Sequence, residues 1–171
     1  MAVVAEVDVR RGTDGGLLLV RAALGLIMAA HGAQQLLGWF GGGGIDGTAA
    51  FFAASGYSAA TLMAVLSGLS HIVGGLALTV GLFTPLACAA IIGTMINAVA
   101  VMWGSGFFAA KGGIEYELLL IVATVAVALT GPGRFAVDRG LPVLRENRAA
   151  LGVAGIVIGV VSGVLVLALF R

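Results

Sequence analysis

The chain has 171 residues, of which 60% are hydrophobic and 10% charged, with a formal net charge of +1 and a mean hydropathy of +1.13. A soluble domain carries about 25% charged residues, so this chain cannot cover its own surface with polar groups and its expected solvent is lipid. That excludes a disordered chain, a collagen and a nucleic-acid binder, and disfavours a soluble enzyme.

Five apolar stretches are long enough to cross a bilayer as helices: roughly 17–37, 62–83, 86–103, 114–131 and 151–170. The first is too long for a signal-peptide core, and Arg21 interrupts it, so it reads as a mature helix preceded by a 1–16 tail. Between the first two spans, Asp46 offers a cap for a short interfacial run from Thr48 to Ala54. Ser58 offers a cap for the second span, and Thr84-Pro85 a cap and first-turn proline for the third. Gly131-Pro132-Gly133 ends the fourth. A basic loop over 132–150 then separates a four-helix core, 17–131, from the fifth helix in 151–171. The predicted fold class is therefore an all-α integral membrane protein, a four-helix transmembrane bundle with a fifth C-terminal transmembrane helix.

The basic residues predict orientation. In five spans the N-terminus and the 132–150 loop share a side that holds Arg10, Arg11, Arg21, Arg134, Arg139, Arg145 and Arg148, against Lys111 and Arg171 opposite. The N-terminus is expected in the cytoplasm and the C-terminus outside, in a bacterial plasma membrane. Trp39, Phe40, Trp103, Phe107 and Phe108 then form an aromatic belt at the outer interface.

Polar groups inside a span are costly and each needs a reason. At about 1.5 Å per residue, His31 lies roughly 9–10 Å below the outer surface and His71 roughly 13 Å. Gln34 and Gln35 follow His31, Asn97 sits at similar depth in the third span, and Glu115, Tyr116 and Glu117 open the fourth. The expectation is that His31, Gln34, His71, Asn97, Glu115 and Glu117 converge in one outer-leaflet pocket. The plain alternative is interhelical hydrogen bonding, with the carboxylates serving the helix dipole. Arg21 is close enough to the inner interface to snorkel. A quinone headgroup would suit such a cluster, with hydrogen-bonding groups for its carbonyls and access from lipid. Bis-histidine haem ligation is the weaker idea, since two histidines alone support it. No metal motif is present, and the single cysteine, Cys88, excludes an internal disulfide and a cysteine-held cluster. Gly155, Gly159 and Gly163 form a stripe on the fifth helix that serves either docking on the core or homo-oligomer formation.

The run His31-Gly32-Ala33-Gln34-Gln35-Leu36-Leu37-Gly38-Trp39-Phe40-Gly41-Gly42 resembles the signature of the DoxX family of bacterial membrane proteins. So do Gly47-Thr48-Ala49-Ala50-Phe51-Phe52-Ala53, Gly106-Phe107-Phe108 through Glu117, and Gly131-Pro132-Gly133-Arg134-Phe135, over roughly 17–140. The resemblance implies a four-helix membrane core and a redox context, as a quinone-interacting subunit or an anchor for soluble redox enzymes. A structural or assembly protein without chemistry, and a small solute transporter, are the competing functions.

Overall fold

The computed structural model describes residues 2–146 and 148–171, with side chains described for 11–144 and 149–171. Among them every regular element is helical: α1 (Ala2–Leu37), α2 (Gly44–Ala54), α3 (Ala60–Val80), α4 (Thr84–Met102), α5 (Glu115–Thr130), α6 (Pro142–Glu146) and α7 (Arg148–Phe170), with short 3₁₀ turns between. Four helices are long and apolar enough to cross a membrane: Arg11–Leu37, Ala60–Val80, Thr84–Ser105 and Ala149–Phe170. Residues with outward faces such as Leu19, Val73, Val122 and Leu169 are more than half exposed, as a lipid-facing surface requires.

Two predicted boundaries differ. Residues 2–16 belong to α1 instead of forming a separate tail; their glycines weaken a helix, but no proline breaks it. The fourth predicted span forms α5, which has 16 residues and so extends about 24 Å, short of a hydrocarbon core of about 30 Å. Its ends are set by Glu115 in the first turn and by Gly131 at φ +79°. It lies beside α1 and runs against it. The ring of Tyr116 is 6.2 Å from that of His31, while Pro132, just past its other end, meets Arg21. These two levels are called the His31 end and the Arg21 end.

Small residues bring the helices together. A Cβ on Gly32 would sit 2.7 Å from the Gly68 carbonyl, and one on Gly75 2.7 Å from the Ala29 amide, so α1 and α3 touch backbone to backbone. The glycine stripe of α7 is covered by α4: a Cβ on Gly159 would fall 2.8 Å from the Ala89 carbonyl, and one on Gly163 2.9 Å from that of Gly93. Leu24, Met28, Leu78, Ile91, Met95, Leu120 and Val127 fill the space between α1, α3, α4 and α5.

Four local expectations are corrected, those for Arg21 and Thr84 at the Arg21 end and those for Ser58 and Asp46 at the His31 end. Arg21 does not snorkel. It is 1% exposed and donates to the carbonyls of Pro132 and Phe135, each at 2.7 Å, because residues 131–136 fold back beneath the bundle and give it oxygens to bind. Thr84 is not the side-chain cap of α4. The cap residue is Phe83, at φ +46°, and Asp138 supplies the capping oxygens, accepting from the Phe83 amide at 2.6 Å and the Thr84 amide at 2.8 Å. Two bonds to a carboxylate offset the cost of a left-handed non-glycine residue. Ser58 does not cap α3; its amide and hydroxyl donate to the Phe170 carbonyl at 2.8 and 3.2 Å, tying the end of α7 to the α2–α3 turn. Nor does Asp46 cap α2, which starts earlier, at Gly44.

Candidate functional site

The bundle is not filled at its His31 end. A cavity of about 460 Å³ lies there, bounded by α1, α2, α3, α4, α5 and α7, within the range of about 300–1,000 Å³ usual for small-molecule sites. Its wall is largely apolar. Every methionine after Met1, namely Met28, Met63, Met95 and Met102, lines it, together with Phe51 and Phe52 of α2. Thioethers adapt their shape and favour aromatic partners, so this wall suits a flat ring.

Polar groups interrupt the wall at defined points. His71 is 4% exposed, and its Nδ1 lies 2.7 Å from the carbonyl of Ser67, one turn back on α3. A carbonyl can only accept, so Nδ1 carries the proton and Nε2 is left as an acceptor. The Ser67 hydroxyl donates to Gln35 Oε1 at 3.0 Å, and Thr48 of α2 donates to the Gln35 carbonyl at 3.1 Å. These bonds join α1, α2 and α3. On the opposite side Asn97 donates to the carbonyls of Gly93 and Gly163 at 3.0 and 3.1 Å. Its Oδ1 accepts from the Tyr57 hydroxyl at 2.8 Å. Burial pushes the Tyr57 phenol above its ordinary range, so it serves as a neutral donor.

Of the six side chains singled out in the sequence, His31, His71, Asn97 and Glu117 line this one cavity. His31 and His71 face the same cavity from α1 and α3. Glu117 Oε2 is buried and has no hydrogen-bond partner. Gln34 and Glu115 lie outside the wall. Gln34 reaches the Phe40 carbonyl over 3.4 Å at an exposed position, and the Glu115 amide donates to the Phe107 carbonyl in the turn that starts α5. In their place stand Gln35, Ser67 and Tyr57. Helical geometry could have flagged Ser67, one turn from His71. Tyr57 carries no such signal, because it reaches Asn97 from a turn. Among the described residues no three His, Cys, Asp or Glu side chains gather as a metal site.

Membrane-length apolar helices enclosing a ligand-sized chamber, with ionisable groups at one level of its wall, define a polytopic helical membrane protein with an internal cavity. The chain belongs to the DoxX family, whose model matches residues 16–104. That match covers the cavity's walls from α1, α2, α3 and α4; those from α5 and α7 lie beyond it. A protein of Bacillus subtilis (strain 168) with the name "Putative oxidoreductase CatD" is 28% identical over 123 residues, which is 72% of this chain and 84% of that protein. No solved structure matches.

Proposed function

We propose that this protein is a redox-linked membrane subunit whose cavity receives the ring of a quinone-class ligand from the lipid phase. The observation that carries the proposal is the cavity itself: an apolar, methionine- and phenylalanine-walled chamber with a buried imidazole whose Nε2 is uncommitted. The similarity to a protein named as an oxidoreductase supports the redox part. The Arg21 end faces the cytoplasm of a bacterial plasma membrane on this proposal, since Arg134 and Arg139 flank the loop there and Lys111 and Arg171 lie at the other. That loop also exposes Phe135 and Val137, which offers soluble redox enzymes a mixed basic and apolar surface.

The test is saturable binding of a decyl-substituted benzoquinone, in either redox state, to the protein in nanodiscs. Ala98 lines the chamber, so Ala98→Phe should fill it and abolish binding. Absence of saturable binding by the unaltered protein would overturn the proposal; binding untouched by Ala98→Phe would place the ligand elsewhere. An assembly protein without chemistry predicts no binding at all.

A further inference from the structure

The cavity does not stop at the axis of the bundle. On α3 it is bordered by Met63, Leu66, Ser67, Ser70 and His71. At about 100° per residue these positions span an arc of about 140° around the helix. His71 and Ser67 lie at the edge of the arc nearer α1. Leu66 and Ser70 lie on the face roughly opposite Gly68, Ile72 and Gly75, which meet α1. The middle of the arc faces α4, since a Cβ on Gly74 would lie 3.2 Å from the Ala90 Cβ. The space therefore passes between α3 and α4. These helices are joined by a short turn over 81–83, touch at Gly74, and leave the gap open toward the His31 end.

Beyond that gap the cavity continues as a groove. α3 and α7 each pack on α4, with no comparable packing between them. Ala90, Gly93 and Thr94 of α4 form a floor of small side chains between the two. Leu66 on one bank and Ser162 on the other are exposed, and exposure on helices of membrane length is exposure to lipid. The hydroxyls of Thr94 and Ser162 are spent on carbonyls of their own helices, so floor and far bank present hydrocarbon. Ser70 stands at the threshold between groove and chamber. At the His31 end the turn between α2 and α3 roofs the groove: Tyr57 holds Asn97 of α4, and Ser58 holds the Phe170 carbonyl of α7. The flank between α3 and α7 stays open.

We propose that the gap between α3 and α4 is the doorway through which a membrane-dissolved ligand enters the chamber, and that the ligand's hydrocarbon chain lies in the groove between α3 and α7. This rests on the quinone-class reading of the chamber and adds a route and a seat for the chain, which make the ligand a long-chain lipid. Lipid tails are as apolar as the groove, so the chain gains little from burial as such. The groove contributes shape: the ring reaches the chamber while its chain stays in contact with hydrocarbon. α7, beyond the family match, supplies one bank.

The experiment uses the protein in nanodiscs with a decyl-substituted benzoquinone that carries a photoactivated diazirine midway along its chain. After irradiation, labelled residues are located by peptide mass spectrometry, with and without an excess of the plain decyl compound. Labelling should fall on α3 around Leu66 and on α7 around Ser162, and the excess should suppress it. Ser70→Phe narrows the doorway and should weaken and slow binding severalfold, whereas Val122→Phe, on an outward position of α5, should leave it unchanged. Suppressible labelling on α1 and α5 instead would overturn the groove and leave the chamber's ligand class intact. Labelling of α3 and α7 that the excess does not suppress would mean that ordinary bilayer lipid occupies the groove, which also overturns the proposal. Binding by Ser70→Phe as fast and as tight as by the parent would remove the doorway. If the unaltered protein binds no benzoquinone saturably, the ligand class falls and the chain seat with it. The labelling pattern of the unaltered protein decides the seat even if Ser70→Phe does not fold.

Discussion

The two ends of the bundle use buried polar groups in opposite ways. At the Arg21 end both buried charged side chains are bound into structure: Arg21 closes two backbone carbonyls and Asp138 two backbone amides, with Asp138 near enough to act on the Arg21 charge. Little space is left there, a gap of about 10 Å³ beside Asp138. At the His31 end the polar groups border about 460 Å³ of cavity, and Glu117 Oε2 goes unpaired. Buried polarity alone therefore does not mark a site in this molecule. What separates scaffold from site is open space: at the Arg21 end the polar groups are packed in, although Arg21 Nε and Thr84 Oγ1 also go unpaired, whereas at the His31 end they border a chamber.

The largest effect should come from the end without the cavity. Asp138→Ala removes two charge-assisted bonds, leaves the strained Phe83 unsupported, and strands the Arg21 charge. A loss of about 4 kcal/mol is expected, seen as a sharp fall in folded yield and in the detergent-solubilised unfolding midpoint. A cost below about 1 kcal/mol would show that this end is not the scaffold. Next comes the stripe that joins the ends. Gly159→Leu must displace Ala89 backbone atoms, at about 3 kcal/mol, whereas Val160→Leu, on an outward position 41% exposed, should change stability by less than about 0.5 kcal/mol. Since α4 covers the stripe, the loss should appear as unfolding and not as a change in oligomeric state. Equal effects of the two substitutions would mean that the α4–α7 contact is not tight.

His71→Phe should invert the pattern of Asp138→Ala. The phenyl ring borders open space, and the Ser67 carbonyl loses one of the groups near it, so stability should fall by about 1 kcal/mol or less. Binding of the decyl-benzoquinone probe should fall severalfold. If unfolding measurements instead show His71→Phe as damaging as Asp138→Ala, the imidazole is a structural tie and the contrast between the ends disappears.

The difference between the ends also explains what could be read from the residues in order. Run lengths locate the helices, because a span needs a minimum number of apolar residues. A shared depth brings His31, His71 and Asn97 to one level, because a rise per residue is a ruler. The Arg21 end was opaque. Its bonds link residues separated by 111 and 114 positions, and the cap of α4 comes from 54 and 55 positions further along the chain. Local capping rules see only neighbours, so they pointed to Thr84. Asp138 gave no signal of its own within a polar loop. The reach of Tyr57 to Asn97 was hidden for the same reason.

The smallest expected effect separates adjacent residues. Gln34 and Gln35 follow one another on α1, about 100° apart around the axis, so only one can face the cavity well. Gln35 does: its Oε1 accepts from Ser67, whose hydroxyl also lies 3.4 Å from His71 Nδ1, and its carbonyl accepts from Thr48 of α2. Gln34 makes a single long contact at an exposed position. Gln35→Ala should cost about 1 kcal/mol and weaken the probe severalfold, as the Ser67 hydroxyl loses its acceptor beside the imidazole. Gln34→Ala should stay within about 0.5 kcal/mol of the parent in unfolding and leave probe affinity unchanged. Parallel titrations of the two variants in nanodiscs decide it. A loss of binding in Gln34→Ala that matches the loss in Gln35→Ala would mean that proximity to the His31 end, and not a place on the cavity wall, governs the ligand.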